Sequence, residues 1–338
     1  MAIRVKGNLG IAPLVQTDGA PRVSSAWGMR IAGYAVMVVI GLVAPHIYYP
    51  IFLMRILCFA LFASALNLLL GYTGLLSFGH AAFFGAAAYV TAYLMKERGF
   101  SPAAGLIAGV LVAALLGTAI GLVSIRRLGI YFSMVTLAMA QLLYFIFLQA
   151  PFTGGEDGIQ GVPRGHLFWK LDLGNDMVLY YVVYAIFLLS YFFIYRVVHS
   201  PFGQVVKAIR ENEPRAISLG YDVNRYKLVT FILSATLAGL AGAMKAIVLT
   251  FVTLTDAHWR TSGEVVLMTL LGGMGTLFGP SVGALFVVTL DTQLSDRVGP
   301  LVSVLIGAIF MVCVLTLRRG IVGEIIALYR RVVGNRQS

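Results

Sequence analysis

Residues able to do chemistry are few in this chain, and their order limits what they can do. Gly279-Pro-Ser-Val-Gly283 matches the G-x-S-x-G pattern of a nucleophile elbow, which needs a histidine later in the chain to take the serine proton. His46, His80, His166, His199 and His258 all precede Ser281, so that relay cannot form. There is no H-E-x-x-H zinc motif and no G-x-x-x-x-G-K-[ST] phosphate loop, so the chain does not itself carry a conventional ATPase site. Cys58 and Cys313 stand far apart inside apolar runs, without the spacing of a disulfide framework or a metal site. No catalytic residue, cofactor or metal ligand is expected.

What remains is polar residues set inside apolar sequence. Gly71-Tyr-Thr-Gly-Leu-Leu-Ser-Phe-Gly-His80 interrupts a long hydrophobic stretch. Irregular backbone at membrane depth is tolerated only where protein buries it or water reaches it, and transporters use such breaks to present freed backbone groups to a solute. Close packing through small residues explains the glycines equally well, as it does Gly85-Ala-Ala-Ala88 just beyond. The polar groups of Thr73, Ser77 and His80 need partners, which favours a cavity there. A weaker echo, Leu271-Gly-Gly-Met-Gly-Thr-Leu-Phe-Gly-Pro280, comes late in the chain. Asn67, Thr136 and Gln141 are further polar residues within apolar runs. Interhelical hydrogen bonds account for most residues of this kind, and these three are also possible pathway residues.

The elements that must position these residues are membrane spans. Of 338 residues, 59% are apolar and only 12% charged, which excludes an ordinary soluble domain. At roughly twenty residues per span this composition fills about ten spans. Long runs fall near 31–49, 51–70, 102–123, 131–149, 178–198, 228–250 and 299–317, and shorter Gly-rich or Pro-ended ones near 80–95, 265–277 and 280–290. The net charge of +11 is too thinly scattered for a nucleic-acid partner. With ten crossings, seventeen of the 25 Lys and Arg fall on the N-terminal side, six opposite and two within spans. That bias puts both termini in the cytoplasm. The fold class is therefore an all-α, polytopic membrane helix bundle, some of its spans short, broken or re-entrant. It comprises a cytoplasmic arm (1–30), a membrane domain (31–320) and a cytoplasmic tail (321–338). The two intramembrane cations, Arg55 and Lys245, lie close enough to predicted outer ends to snorkel. Every Asp and Glu falls in a predicted loop, which disfavours ion-coupled transport.

The cytoplasmic piece 200–227 differs from the other loops. Phe202, Val205, Val206 and Ile209 recur at helical spacing, Pro214 suits a helix start and Gly220 a helix stop. Two short amphipathic helices are expected. They would either lie on lipid headgroups or form a docking surface with Arg210, Glu211 and Glu213 as polar contacts, and the pattern alone does not separate these readings.

These blocks together resemble the LivM-type permeases of the branched-chain amino acid ABC importers. The likeness lies in Gly71–Gly85, Gly129-Ile-Tyr-Phe-Ser-Met-Val-Thr-Leu-Ala138, Thr153-Gly-Gly-Glu-Asp-Gly-Ile159 leading to Pro163, Ala208-Ile-Arg-Glu-Asn-Glu213 with Ala216 and Gly220, and Leu271–Thr276 with Phe278-Gly-Pro280. They run in family order from about residue 55 to 320, and the N-terminal arm lies outside them. The resemblance implies an importer of two related permeases, two cytoplasmic ATPase subunits and a periplasmic binding protein, in the bacterial inner membrane. It also implies a degenerate Glu-Ala-Ala…Gly loop that docks the ATPase, here Arg210, Glu211, Glu213, Ala216 and Gly220. Pro214-Arg215 depart from the small residues usual there, and Glu213 to Gly220 is one residue longer than the common spacing.

On this reading the chain performs no chemistry and forms half of a translocation path, with Thr73, Gly74, Ser77, His80, Thr136 and Gln141 as its polar residues. The substrates expected are branched-chain amino acids. Urea, short amides and other small solutes use the same scaffold, and a passive channel or secondary transporter is the reading from another class.

Overall fold

Prolines open three of the helices at their first position, where the missing N–H costs nothing: Pro50, Pro102 and Pro201. Ser101 and Ser200 precede two of them and accept backbone N–H groups of the first turn, from Ala104 at 3.4 Å and Gly203 at 3.3 Å. The computed structural model describes residues 37–127, 129–167, 171–298, 302–316 and 320–324. The expected N-terminal arm, and the tail beyond residue 324, lie outside the described residues.

A short apolar helix, Met37–His46 (α1), comes first. Then follow α2 (Pro50–Thr73), α3 (His80–Glu97), α4 (Pro102–Ser124), α5 (Ile130–Gln149), α6 (Asp176–His199), α7 (Pro201–Glu211), α8 (Glu213–Ser218), α9 (Val223–Leu249), α10 (Trp259–Gly272), α11 (Gly279–Val298) and α12 (Val302–Thr316). Five of them (α2, α4, α5, α6 and α9) are long and apolar enough to cross a membrane. Two-residue strands complete the order. Ile159–Gln160 (β1) pairs antiparallel with Phe251–Val252 (β4), and His166–Leu167 (β2) with Leu171–Asp172 (β3). The chain divides into two compact units, residues 1–44 and 45–338, and the second holds all that follows.

In that unit α2, α3 and α9 form the centre, and α4 lies against α3 and α9. Most of α2 and α9 is buried, whereas α4 and α5 expose much of their surface. The sequence of α4 explains this. Gly105, Gly109, Ala113, Gly117 and Gly121 recur every fourth residue and are buried, whereas Ile107, Leu111, Leu115 and Leu122 are exposed. One small-residue face therefore packs on protein and one aliphatic face is left for lipid. The approach is close: a Cβ added to Gly239 of α9 would lie 2.2 Å from the Ala113 Cβ.

Three expectations are corrected. The short run expected at 280–290 is part of the twenty-residue helix Gly279–Val298, and α10 begins at Trp259 rather than 265. Asp291 and Glu264 therefore lie within helices, not loops. Their charges end the apolar runs before the helices end, which is why hydropathy undercounts both. Nor do Arg55 and Lys245 snorkel. Arg55 Nη2 lies 2.9 Å from Asp291, and Lys245 Nζ lies 2.6 Å from the buried Asp256. Each cation thus meets an acidic partner on another element, Lys245 in the interior and Arg55 at a half-exposed surface.

Gly239→Val should cost about 1–3 kcal/mol by overpacking the α4–α9 contact, read as a lowered unfolding midpoint in detergent. Gly307→Ala, where nothing lies within 4 Å of an added Cβ, should leave that midpoint unchanged.

Candidate functional site

Where α2 stops, its last carbonyls must find partners. Gly74 adopts a left-handed conformation (φ 79°) and its N–H bonds back to Leu70 O. The Gly71 carbonyl accepts from Arg210 Nη1 of α7. The turn 273–278, which joins α10 to α11, meets the same end of α2. Asn67 Nδ2 donates to Thr276 O at 2.9 Å, and Gly275 N donates to Asn67 Oδ1 at 2.9 Å. Only this orientation of the carboxamide satisfies both backbone groups. A Cβ on Gly71 would lie 2.7 Å from the Gly275 nitrogen, so the two glycine-rich segments touch through bare backbone. Residues separated by some two hundred positions are thus joined beneath one arginine.

The segment 200–222 folds as the two expected short helices, with Pro214 second rather than first in α8. Gly220 (φ 88°) closes α8: Gly220 N bonds to Ile217 O and Tyr221 N to Ala216 O. Ile209 and Ala216 are buried with Val223 of α9, and Val205 and Tyr226 pack on them. Phe202 stacks on Tyr226, with centroids 5.4 Å apart. Lys227 of α9 is 3% exposed and its Nζ lies 2.7 Å from Glu213, and the Lys207 ammonium sits 5.7 Å from the centre of the Tyr72 ring. The residues expected at the docking surface therefore divide between two faces. Arg210, Glu213 and Ala216 bind the segment to its own bundle. Arg210 nevertheless remains exposed, as are Glu211, Arg215, Ile217, Leu219 and Gly220.

The break that follows Gly74 runs back into the bundle beside α5. Ser133 Oγ donates to Leu76 O at 2.6 Å. A turn deeper, an added Cβ on Gly79 would lie 2.6 Å from Thr136 O. Ser77 is buried and accepts from Gly79 N at 3.2 Å. Thr73 donates to Leu68 O, and Thr136 to Ser133 O. His80 opens α3 about three turns into α9, with Nε2 2.8 Å from Ser234 Oγ. Because Ser234 donates its own proton to Ala65 O at 2.5 Å, His80 must donate from Nε2. Its Nδ1 is then a buried acceptor without a partner among the described residues. The first N–H groups of α3 are met in the same way, Ala81 N donating to Ser262 Oγ at 2.8 Å. The structure thus gathers Thr73, Gly74, Ser77, His80 and Thr136 around one break. Gln141, five residues on along α5, is half-buried.

At the opposite end of α9, Arg164 Nη2 donates to Val248 O at 2.9 Å and Nη1 reaches Asp176, at the start of α6, at 2.6 Å. His258 caps α10 by accepting from Arg260 N. Burial, with the Arg260 charge adding, holds its imidazole below the ordinary range, which keeps Nδ1 free to accept. Sequence reasoning missed the Lys227–Glu213, Lys245–Asp256 and Arg55–Asp291 pairs. Lys227 carried a local signal, a cation at the threshold of an apolar run, but no local pattern ties Arg55 to a residue 236 positions away.

Fold and site together define a multi-pass, all-α membrane protein with a structured segment fastened to one end of its bundle. Residues 48–315 match the family described as "Branched-chain amino acid transport system / permease component", and the chain belongs to that family of transport permeases. It is 31% identical over 259 residues to the high-affinity branched-chain amino acid transport system permease protein LivM of Escherichia coli K12, covering 68% of this chain and 60% of that protein. It is 26% identical over 216 residues to a probable branched-chain amino acid transport permease protein LivM of Methanocaldococcus jannaschii, covering 61% of this chain and 62% of that one. A shorter match, 36% over 100 residues, joins it to the autoinducer 2 import system permease protein LsrC of Klebsiella pneumoniae, covering 28% and 29% of the two chains. The matched region thus spans about three-fifths of the LivM relatives. No solved structure matches.

Asn67→Leu should leave the Gly275 N–H and Thr276 C=O unpaired, at about 1–3 kcal/mol for each group. The expected result is a lower unfolding midpoint and faster amide hydrogen exchange at 273–278.

Proposed function

We propose that this chain is a permease subunit of an ATP-driven importer for branched-chain amino acids. The observation that carries the reading is the family match over 48–315 to a chain whose 200–222 segment is wired to its bundle and still presents an exposed face. That face, with Glu211, Arg215, Ile217, Leu219 and Gly220, would dock a cytoplasmic ATPase. Arg210, Glu213 and Ala216 would pass its displacement to α2, the 273–278 turn and α9. The assembly would pair this chain with a second, related permease and two ATPase subunits, and would receive substrate from a periplasmic binding protein.

In this reading the bundle spans the bacterial inner membrane about ten times with both termini in the cytoplasm. The arm (1–30) and tail (321–338) flank a membrane domain (31–320). Substrate would pass beside the break, with Thr73, Gly74, Ser77, His80, Thr136 and Gln141 as polar residues of the path. Hydrolysis of ATP belongs to the partners, and no cofactor is required of this chain. The irregular backbone of the break supports a hinge role for it, since Leu76 O is held by one side chain of α5 and the adjoining start of α3 by one each from α9 and α10.

The test is leucine uptake by cells expressing the complete importer, with urea and acetamide as competing solutes. Gly220→Val, which forces a β-branched residue to positive φ, should reduce ATPase co-purification and leucine uptake together by at least about tenfold. Arg210→Gln should retain the ATPase and lose uptake. Leucine uptake that persists without an ATPase, or transport of urea in place of leucine, would overturn the reading.

A further inference from the structure

Four of the charges on α2, α10 and α11 (Arg55, Arg260, Glu264 and Asp291) lie away from the end of the bundle that α7 and α8 occupy. Arg55 is the sixth residue of α2 and Asp291 the eighth from the end of α11, so each sits roughly 8–11 Å inside its helix. Arg55 Nη2 lies 2.9 Å from Asp291 Oδ2, and Nη1 lies 3.4 Å from the Thr292 hydroxyl. The two side chains remain 34% and 38% exposed. Glu264, the sixth residue of α10, has Asp291, Arg55 and Arg260 as its charged neighbours, and both Glu264 and Arg260 are exposed. One level deeper the same helices close, with Phe59 of α2 and Val288 of α11 buried.

A half-exposed ion pair is unstable against hydrocarbon, because lipid offers nothing to the lone pairs and protons left over. The surface around it must meet water or polar matter. It differs from the Lys245–Asp256 pair, which is nearly sealed (5% and 10% exposed) and whose carboxylate also accepts from Thr253 N at 3.0 Å. The Lys245–Asp256 pair is a structural latch. The Arg55–Asp291 pair keeps open faces on both partners.

We infer that Arg55 and Asp291, with Glu264 and Arg260 beside them, form a binding site for the zwitterionic head group of an α-amino acid at the outer mouth of the path. The inference rests on the importer reading above and adds which part of the substrate this chain recognises. The α-carboxylate and α-ammonium of an amino acid are two bonds apart, close enough for each to face one of the two protein charges. The zwitterion can enter head to tail, its carboxylate on the Arg55 guanidinium and its ammonium on the Asp291 carboxylate. Glu264, with Asp291 and Arg55 as charged neighbours, adds negative charge on the ammonium's side. Two ion contacts replace one and no net charge is buried, which avoids the main cost of bringing an ion into the bundle. Urea or a short amide, having no full charge, gains nothing from this exchange.

The test separates recognition from support. Replacing an ion pair by two apolar side chains is tolerated structurally, so Arg55→Leu/Asp291→Leu should fold and retain its unfolding midpoint. Binding to the purified full-length chain is followed by saturation-transfer NMR with leucine, 4-methylpentanoate (no ammonium), isopentylamine (no carboxylate) and acetamide. Wild type should contact leucine. The double variant should weaken that contact at least about tenfold, whereas Arg55→Lys and Asp291→Glu should retain it in part. Arg55→Gln should remove the acid's contact, and Asp291→Asn the amine's. Unchanged leucine contact in the folded double variant overturns the site. So does a loss of leucine uptake by the whole importer that excess binding protein restores, because the charges would then dock that protein instead. An importer that moves urea but not leucine would sink the functional reading, while the NMR contacts of leucine would still decide this site.

Discussion

A backbone amide that leaves its helix inside a bilayer has no water to turn to. This chain breaks its apolar helices twice, after Thr73 and after Gly272, and much of the arrangement follows from how those breaks are satisfied. Asn67 serves the second break from the helix that ends at the first. Arg210 then takes the carbonyl freed at Gly71. Because one carboxamide and one guanidinium are shared between α2, α7 and the α10–α11 turn, none of these elements can shift without breaking a part-buried hydrogen bond. Two weak points in the backbone become one mechanical joint.

The same economy shapes the charges. Lys227 is buried because Glu213 sits at the start of α8, and Lys245 because Asp256 is held in the turn before α10. Both pairs fasten a short connecting element to α9, the helix at the centre of the bundle. The Arg55–Asp291 pair is different in kind, since it bridges two helices at a half-open surface. Lys245–Asp256 is sealed on both sides, Lys227–Glu213 only at the lysine, and Arg55–Asp291 on neither.

Much of this was legible in the residues. The four-residue recurrence of small side chains in α4 announces its buried face, because an α-helix returns to the same side in about that interval. The amphipathic pattern Phe202, Val205, Val206 and Ile209, and the glycine stop at 220, locate the two short helices of this segment to within a residue at Pro214. Hydropathy failed where charges lie inside helices. Asp291 and Glu264 shortened two apolar runs, so α11 was undercounted and its acid assigned to a loop.

The sequence by itself determined the class of the protein, its helical content and which segments leave the apolar pattern, because burial in lipid is a property each stretch must satisfy alone. It also marked Arg210 and Glu213 as notable, but not the direction in which they point. Only the tertiary structure decided that both bond into the bundle, Arg210 while staying exposed, that Gly71 meets Gly275, and that Arg55 and Lys245 have acidic partners. Those facts depend on helices brought together from distant parts of the chain, and pairing between them leaves no local periodicity to read.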